Sequence, residues 1–373
     1  MERRISTWIL AGLLVAGCGE ELDGGGAPAE MPDAEEADGV VEDARPADVS
    51  PAADVEPDAP GREDAAVADV ADADDAADTT AAPRSYTVAV VSDMNSSYGS
   101  TSYLDEVHGA ADFITRSLEP DLVISAGDMV AGQKHGLDYR AMWSAFHRTV
   151  TDRITAAGIP FAPTPGNHDA SGYPAYDNER DIYVDEWNTK KPNLNYVEDT
   201  YFPLRYAFRL GPALFVSLDD TTVGPLGDPQ MMWLDTVLEE NADAPVKIVY
   251  GHLPLWGFAS EKTDEIIGDD DLEEMLERHD VDMFVSGHHH AYYPGRRREL
   301  RMLSMACLGT GPRELIGEGR TSRRSLAVFE YDASGIASVD AYLPPDFTQR
   351  VPRTMLPTSV DDGNAIVVRD DTM

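Results

Sequence analysis

The chain has 373 residues and a formal net charge of −39, with 68 Asp and Glu against 29 Lys and Arg. That length admits one large domain or two of ordinary size, and so acidic a balance argues against nucleic-acid binding, because it repels phosphate backbones. Much of the charge is local: residues 19 to 84 hold 21 Asp and Glu against 3 Arg.

At the N-terminus, Arg3 and Arg4 precede an apolar run from Trp8 to Ala16. The run is too short to cross a bilayer but suits the apolar core of an export signal. It ends Leu14-Val15-Ala16-Gly17-Cys18, which resembles the lipobox of bacterial lipoproteins. The resemblance implies a signal peptide over residues 1–17, a lipid on Cys18, and an extracytoplasmic protein anchored to the cell envelope at the outer membrane or cell surface. The plainer alternative is an ordinary cleaved signal in which Cys18 is incidental. Residues 18–84 are otherwise mostly Ala, Pro, Gly and Val, without helical or strand period. They cannot bury enough apolar surface to offset the entropy of ordering, so they read as a disordered, self-repelling linker. Beyond Cys18 there is only Cys307, in the apolar run Met302 to Leu308. It reads as a small core residue, and no intrachain disulfide framework is possible in the mature domain.

A catalytic domain is expected over residues 85–345. The β-branched run Val88 to Val91 predicts a strand buried on both faces, followed by Ser92-Asp93-Met94-Asn95. Leu104, Val107, Ala111, Ile114 and Leu118 recur at helical spacing. Leu122 to Ile124 leads into Gly127-Asp128, and a second helix is predicted from about 139 to 157, stopped by Gly158. The run Ile159 to Ala162 then delivers Gly166-Asn167-His168-Asp169. Residues 170 to 205 are unpatterned and predict a surface insertion near the site. Further strands end at Asp219-Asp220, at Gly251-His252 and at Gly287-His288-His289-His290, with helices near 229–240 and 270–279. Leu326 to Phe329 and Ala337 to Ala341 predict a closing hairpin. Residues 346–373 read as a tail that wraps the surface and frays past about 360. Strands alternating with helices make the fold α/β with much parallel pairing.

Five strands thus end in residues suited to metals: Asp93 and Asn95, Asp128, Asn167 and His168, His252, and His288 with His290. In open α/β sheets functional groups gather beyond the carboxyl ends of the strands. Carboxylate, amide oxygen and imidazole without thiolate suit manganese, iron or zinc. Two such ions would need a shared carboxylate and would clamp and activate a bridging hydroxide.

In this order, D-x-N, G-D, G-N-H-D, G-H and G-H-x-H resemble the calcineurin-like metallophosphoesterase superfamily over residues 93 to 290. The resemblance implies a four-layer αββα sandwich with a dinuclear site at one sheet edge. By position, Asp93, Asn95 and His290 would hold the first metal, Asp128 would bridge, and Asn167, His252 and His288 would hold the second. His168 would be the general acid, oriented by Asp169. The implied activity is hydrolysis of phosphate monoesters or diesters by a protein read as a monomer. Two departures stand out. The family's first motif is usually D-x-H, whereas Asn stands at 95. Purple acid phosphatases, a related branch, would carry a Tyr at position 131, which here is Ala. A non-catalytic surface binding protein that keeps the fold is the rival reading, and Asn95 is the feature that supports it.

The remaining polar residues read as structural. His289 is expected to point away from the site along an extended segment. His108, His147 and His279 sit on helices, His135 lies in an exposed loop, and Arg296 to Arg298 form a solvated basic face.

Overall fold

The computed structural model describes residues 84–317 and 319–372. The expected signal peptide, Cys18 and the acidic linker to residue 83 lie outside the described residues. In chain order the first strands are β1 (Tyr86–Val91), β2 (Leu122–Ser125) and β3 (Phe161–Ala162). Between them run α1 (Asp105–Phe113), α2 (Tyr139–Thr149) and α3 (Thr151–Ala156), so the predicted second helix is broken at Val150. Then follow α4 (Asn167–Ala170), α5 (Asp177–Thr189), β4 (Asn195–Glu198), β5 (Tyr206–Leu210), β6 (Ala213–Ser217) and α6 (Asp228–Glu240). After them come β7 (Val246–Tyr250), α7 (Asp270–Arg278), β8 (Met283–Ser286), β9 (Tyr293–Arg297) and β10 (Leu300–Ser304). The chain finishes with β11 (Leu326–Asp332), β12 (Gly335–Leu343), β13 (Gln349–Arg350), β14 (Ser359–Asp361) and β15 (Ile366–Arg369).

These strands form two sheets. One has the order β13-β12-β11-β1-β2-β3, and the other β14-β15-β9-β10-β8-β7-β6-β5-β4. Parallel pairing joins β1 with β2 and β2 with the edge strand β3 in the first sheet, and β6-β7-β8-β10 in the middle of the second. The remaining pairs are antiparallel, including the predicted hairpin of β11 and β12.

The layering follows from the two-residue period of a strand. In β6, Ala213 and Phe215 join a core shared with the first sheet, whereas Leu214 and Val216 join a second core with Leu234, Val237 and Leu238 of α6. In β8, Met283 and Val285 face the first core, and Phe284 faces the second with Leu272 and Leu276 of α7. On the far side of the first sheet lie Val107 of α1, Trp143 and Phe146 of α2, and Tyr183 and Trp187 of α5. Helices, sheet, sheet and helices make the expected αββα sandwich.

Two expectations are corrected. Residues 170 to 205 are not an irregular insertion, since they hold α5 and β4. The inward face of α5 consists of Glu179, Tyr183 and Trp187 at four-residue spacing, and a buried glutamate hides that periodicity. Nor do residues 346–373 form a loose tail. Val360 and Val367 are buried in the second core, and β15 covers the edge of β9 that would otherwise present unpaired backbone groups.

Candidate metal centre

Every site residue lies beyond the carboxyl end of a parallel-paired strand, with Asn167 and His168 opening α4 after the edge strand β3. The first sheet supplies Asp93, Asn95, Asp128, Asn167 and His168, and the second supplies His252, His288 and His290. At four of these positions the backbone turns left-handed: Asp93 (φ 49°), Asp128 (φ 56°), His288 (φ 60°) and His290 (φ 50°). Non-glycine residues adopt that region at a cost and only where the surroundings impose it. The glycines of the motifs have a different task. A Cβ on Gly166 would press on the backbone nitrogen and Oδ1 of Asp128, and one on Gly251 would press on Oδ2 of Asp220.

Asp93, Asp128 and His290 each offer an atom within 4.8 Å of the others. Nε2 of His290 lies 2.9 Å from Oδ1 of Asp93. Asn95 donates a long hydrogen bond of 3.4 Å to Oδ2 of Asp128. Alongside, Nε2 of His252 sits 2.9 Å from Oδ1 of Asn167 and 3.3 Å from Oδ1 of Asp128, which touches both halves of the site. Gln133 Oε1 accepts from the Asn167 amide at 2.8 Å, turning its oxygen inward. His288 stands apart from this cluster, with Nε2 2.9 Å from Oε2 of Glu265.

Two carboxylates buried this deeply demand compensation. Burial opposes the charged form of His252, yet Asp128 beside it prevails and raises the imidazole to about 10. His290 is likewise opposed by burial and raised to about 10 by Asp93. Burial pushes Asp93 up, but His290 holds it below the ordinary carboxylate range. Burial alone dominates at His288, whose ring is lowered to about 4. Hard and borderline oxygen and nitrogen donors around two buried carboxylates fit divalent metals.

His168 is partly exposed at the mouth, with Nε2 4.0 Å from Oδ2 of Asp128 and Nδ1 2.9 Å from the Gly132 carbonyl. That carbonyl, not Asp169, orients the ring. The Asp169 carboxylate instead accepts the backbone N–H groups of Val130 (2.8 Å) and Gly166 (3.0 Å), fastening the two ligand loops together. Burial and then the nearby Asp128 charge raise Asp169 to about 7. Its assignment as orienting partner is therefore corrected: both its oxygens are engaged as a loop clamp, and the imidazole nitrogen it was expected to hold is held by Gly132.

His289 does face away, for a different reason than expected. The segment is not extended, and its Nδ1 accepts from the N–H groups of Phe258 (3.0 Å) and Ala259 (3.2 Å). His147 is buried against Thr151, and His279 bonds Asp235. His135 stacks on Tyr176. Within the basic run, Arg297 is not simply solvated, because it pairs with the buried Glu273. Cys307 is a buried free thiol, and it contacts His290.

The cavity over the site measures about 350 Å³ and adds Tyr98, Lys262, Glu265 and Arg313 to the expected residues. The ring of Tyr98 lies 5.5 Å from that of His168. None of these four follows a motif spacing, and all come from loops, so the sequence offers no pattern to find them. Asp220, whose Oδ1 accepts from the His252 backbone at 2.7 Å, was visible only as the acidic end of β6.

The sequence matches the calcineurin-like phosphoesterase family over residues 86–292. The chain belongs to that family. No curated protein gives a significant match. Among solved structures, the phosphoesterase fold here is similar to a purple acid phosphatase from yellow lupin (Lupinus luteus) seeds, at 16% identity and a TM-score of 0.53. The alignment covers 70% of this chain and 52% of that one, so the phosphoesterase chain spans about half the length of the lupin protein. A dimetal phosphatase from Danio rerio is matched at 15% identity and a TM-score of 0.43, covering 68% and 98% of the two chains. Membership of the family supports phosphoester hydrolysis in general and implies divalent metal ions.

Proposed function

We propose that the protein hydrolyses phosphate esters at a two-metal centre. Asp93, Asn95 and His290 would hold one ion, Asn167, His252 and His288 the other, with Asp128 between them. Bound there, the ions supply charge neutralisation and activation of water. The observation that carries the reading is the contact of one carboxylate, Asp128, with ligands on both sides: His252 at 3.3 Å and Asn95 at 3.4 Å.

The chain's own residues account for the rest. Arg313 and Lys262 line the cavity and favour an anionic ester. His168 has Nδ1 committed to the Gly132 carbonyl, which leaves Nε2 as the nitrogen that, in the imidazolium form, would donate a proton to the departing alkoxide. An adjoining cleft of about 230 Å³, lined by Tyr173, Val223 and Leu253, shares Asn167 and His288 with the main cavity. That room on the second side favours a diester over a monoester. The N-terminal 18 residues support an envelope-anchored lipoprotein, and mass spectrometry of Cys18 checks that part by itself.

The test is turnover of an aryl phosphate monoester and an aryl phosphate diester with manganese, iron or zinc, using Asp128→Asn as control. Faster diester turnover, lost in the control, is the expected result. Turnover of neither ester with any metal would favour the binding-protein reading, with Asn95 as its cause.

A further inference from the structure

The imidazoles around the site are fixed in two different ways. His168, His252 and His290 each place Nδ1 against a backbone carbonyl, of Gly132 (2.9 Å), Ala126 (2.8 Å) and Gly311 (2.8 Å) respectively. A carbonyl accepts only, so Nδ1 carries the proton and Nε2 is the nitrogen presented to the site. His288 is reversed. Its Nε2 meets a side-chain carboxylate, Glu265, and its Nδ1 has no hydrogen-bond partner among the described residues. In the neutral ring the proton therefore sits on Nε2, and the Nδ1 lone pair is free.

Glu265 is itself held from several sides. Its Oε2 pairs with Lys262, and its backbone nitrogen donates to the Lys262 carbonyl at 3.0 Å. Its own carbonyl accepts from Nε2 of His289 at 3.1 Å. His289, in turn, is pinned by the backbone N–H groups of Phe258 and Ala259. The loop after β7 is thus tied to two consecutive histidines of the last motif, to one by a side chain and to the other by a backbone carbonyl. A carboxylate behind a ligating imidazole fixes its tautomer, orients the ring and raises its basicity.

We infer that Glu265 is a positioning residue for the second metal, holding His288 so that it coordinates through Nδ1. This rests on the two-metal reading above. Because a side chain rather than the backbone does the holding, substitution can remove this support.

The experiment is calorimetric titration of the metal-free full chain with manganese, alongside Glu265→Gln and Glu265→Ala, with circular dichroism to confirm that each variant is folded. Glutamine keeps an acceptor for Nε2–H, whereas alanine leaves none. The inference expects the wild type to bind two ions. It expects Glu265→Ala to bind one of them about 10- to 100-fold more weakly, and Glu265→Gln to stay within about fivefold of wild type. Equal or tighter binding by Glu265→Ala would overturn it while leaving the two-metal reading intact. Losses as large in Glu265→Gln as in Glu265→Ala would overturn it in favour of direct ligation by the carboxylate. A wild type that binds no ion would overturn both. Should Glu265→Ala not fold, Glu265→Leu, close to glutamate in volume and without an acceptor, takes its place: it should weaken the same binding step, and unchanged affinity counts against the inference.

Discussion

Oδ1 of Asp93, at the end of β1, lies 2.9 Å from Nε2 of His290, past the end of β8. The two residues are 197 positions apart in sequence and belong to different sheets, so the site exists only when the sandwich has closed. Metal binding and folding are therefore linked. Anything that binds the native state alone stabilises it, by about 2.7 kcal/mol at a ligand concentration 100 times its Kd. Manganese should raise the melting temperature of the metal-free protein, and a chelator should reverse the effect. Asp128→Asn should remove most of this response, which differential scanning calorimetry would show.

Gly166 tests the close approach of two ligand loops. Its φ of −101° is open to any residue, so the constraint is space alone: a Cβ there would meet Asp128. Gly166→Ala should cost about 1–3 kcal/mol of stability from overpacking. It should also weaken metal binding, because Asp128 is the atom group displaced. Urea denaturation with a metal titration checks both, and a fully stable, metal-binding variant would show that the loops can part freely.

The strand ends were legible because chemistry and position coincide there. A buried strand announces itself by its apolar run, and a polar residue straight after it must sit at the sheet edge. Left-handed backbone at Asp93, Asp128, His288 and His290 was not legible, since neighbouring loops impose it. Glu265 was hidden for a similar reason: a glutamate in a loop carries no period, and only the folded loop brings it to His288. The α5 helix escaped because Glu179, which accepts from the Gln133 backbone at 2.7 Å, occupies the place of an apolar residue on its inner face. The Asp169 assignment failed because adjacency in sequence says nothing about which way a carboxylate turns in a tight helical turn.

His147 predicts a pH dependence of stability away from the metal centre. Burial and then the Lys190 charge lower its ring to about 4, from 6.5 when unfolded. The unfolded chain thus binds the proton more readily, and stability falls as pH drops from about 6.5 towards 4. That shift corresponds to roughly 3 kcal/mol. Denaturant midpoints at pH 7 and pH 5 should differ in the wild type, and the difference should shrink in His147→Gln. An equal difference in both would assign the slope to other groups.

Arg297 and Glu273 predict an asymmetric pair of variants. Glu273 is fully buried, pairs with Arg297 and accepts from Nε1 of Trp256 at 3.1 Å. Arg297→Met leaves that carboxylate buried without its cation, at a cost of about 3–5 kcal/mol. Arg297→Met combined with Glu273→Gln should recover part of the loss. Thermal or urea denaturation of the single and double variants measures it, and equal stability of the two would remove the buried charge as the cause.

The central claim, hydrolysis at a metal pair bridged by Asp128, is tested most directly by measuring metal content and diester turnover on the same samples of wild type and Asp128→Asn. The account predicts about two ions per wild-type chain, turnover that rises with their occupancy, and loss of both in the variant. Turnover undiminished in Asp128→Asn, or in wild type stripped of metal, would contradict it.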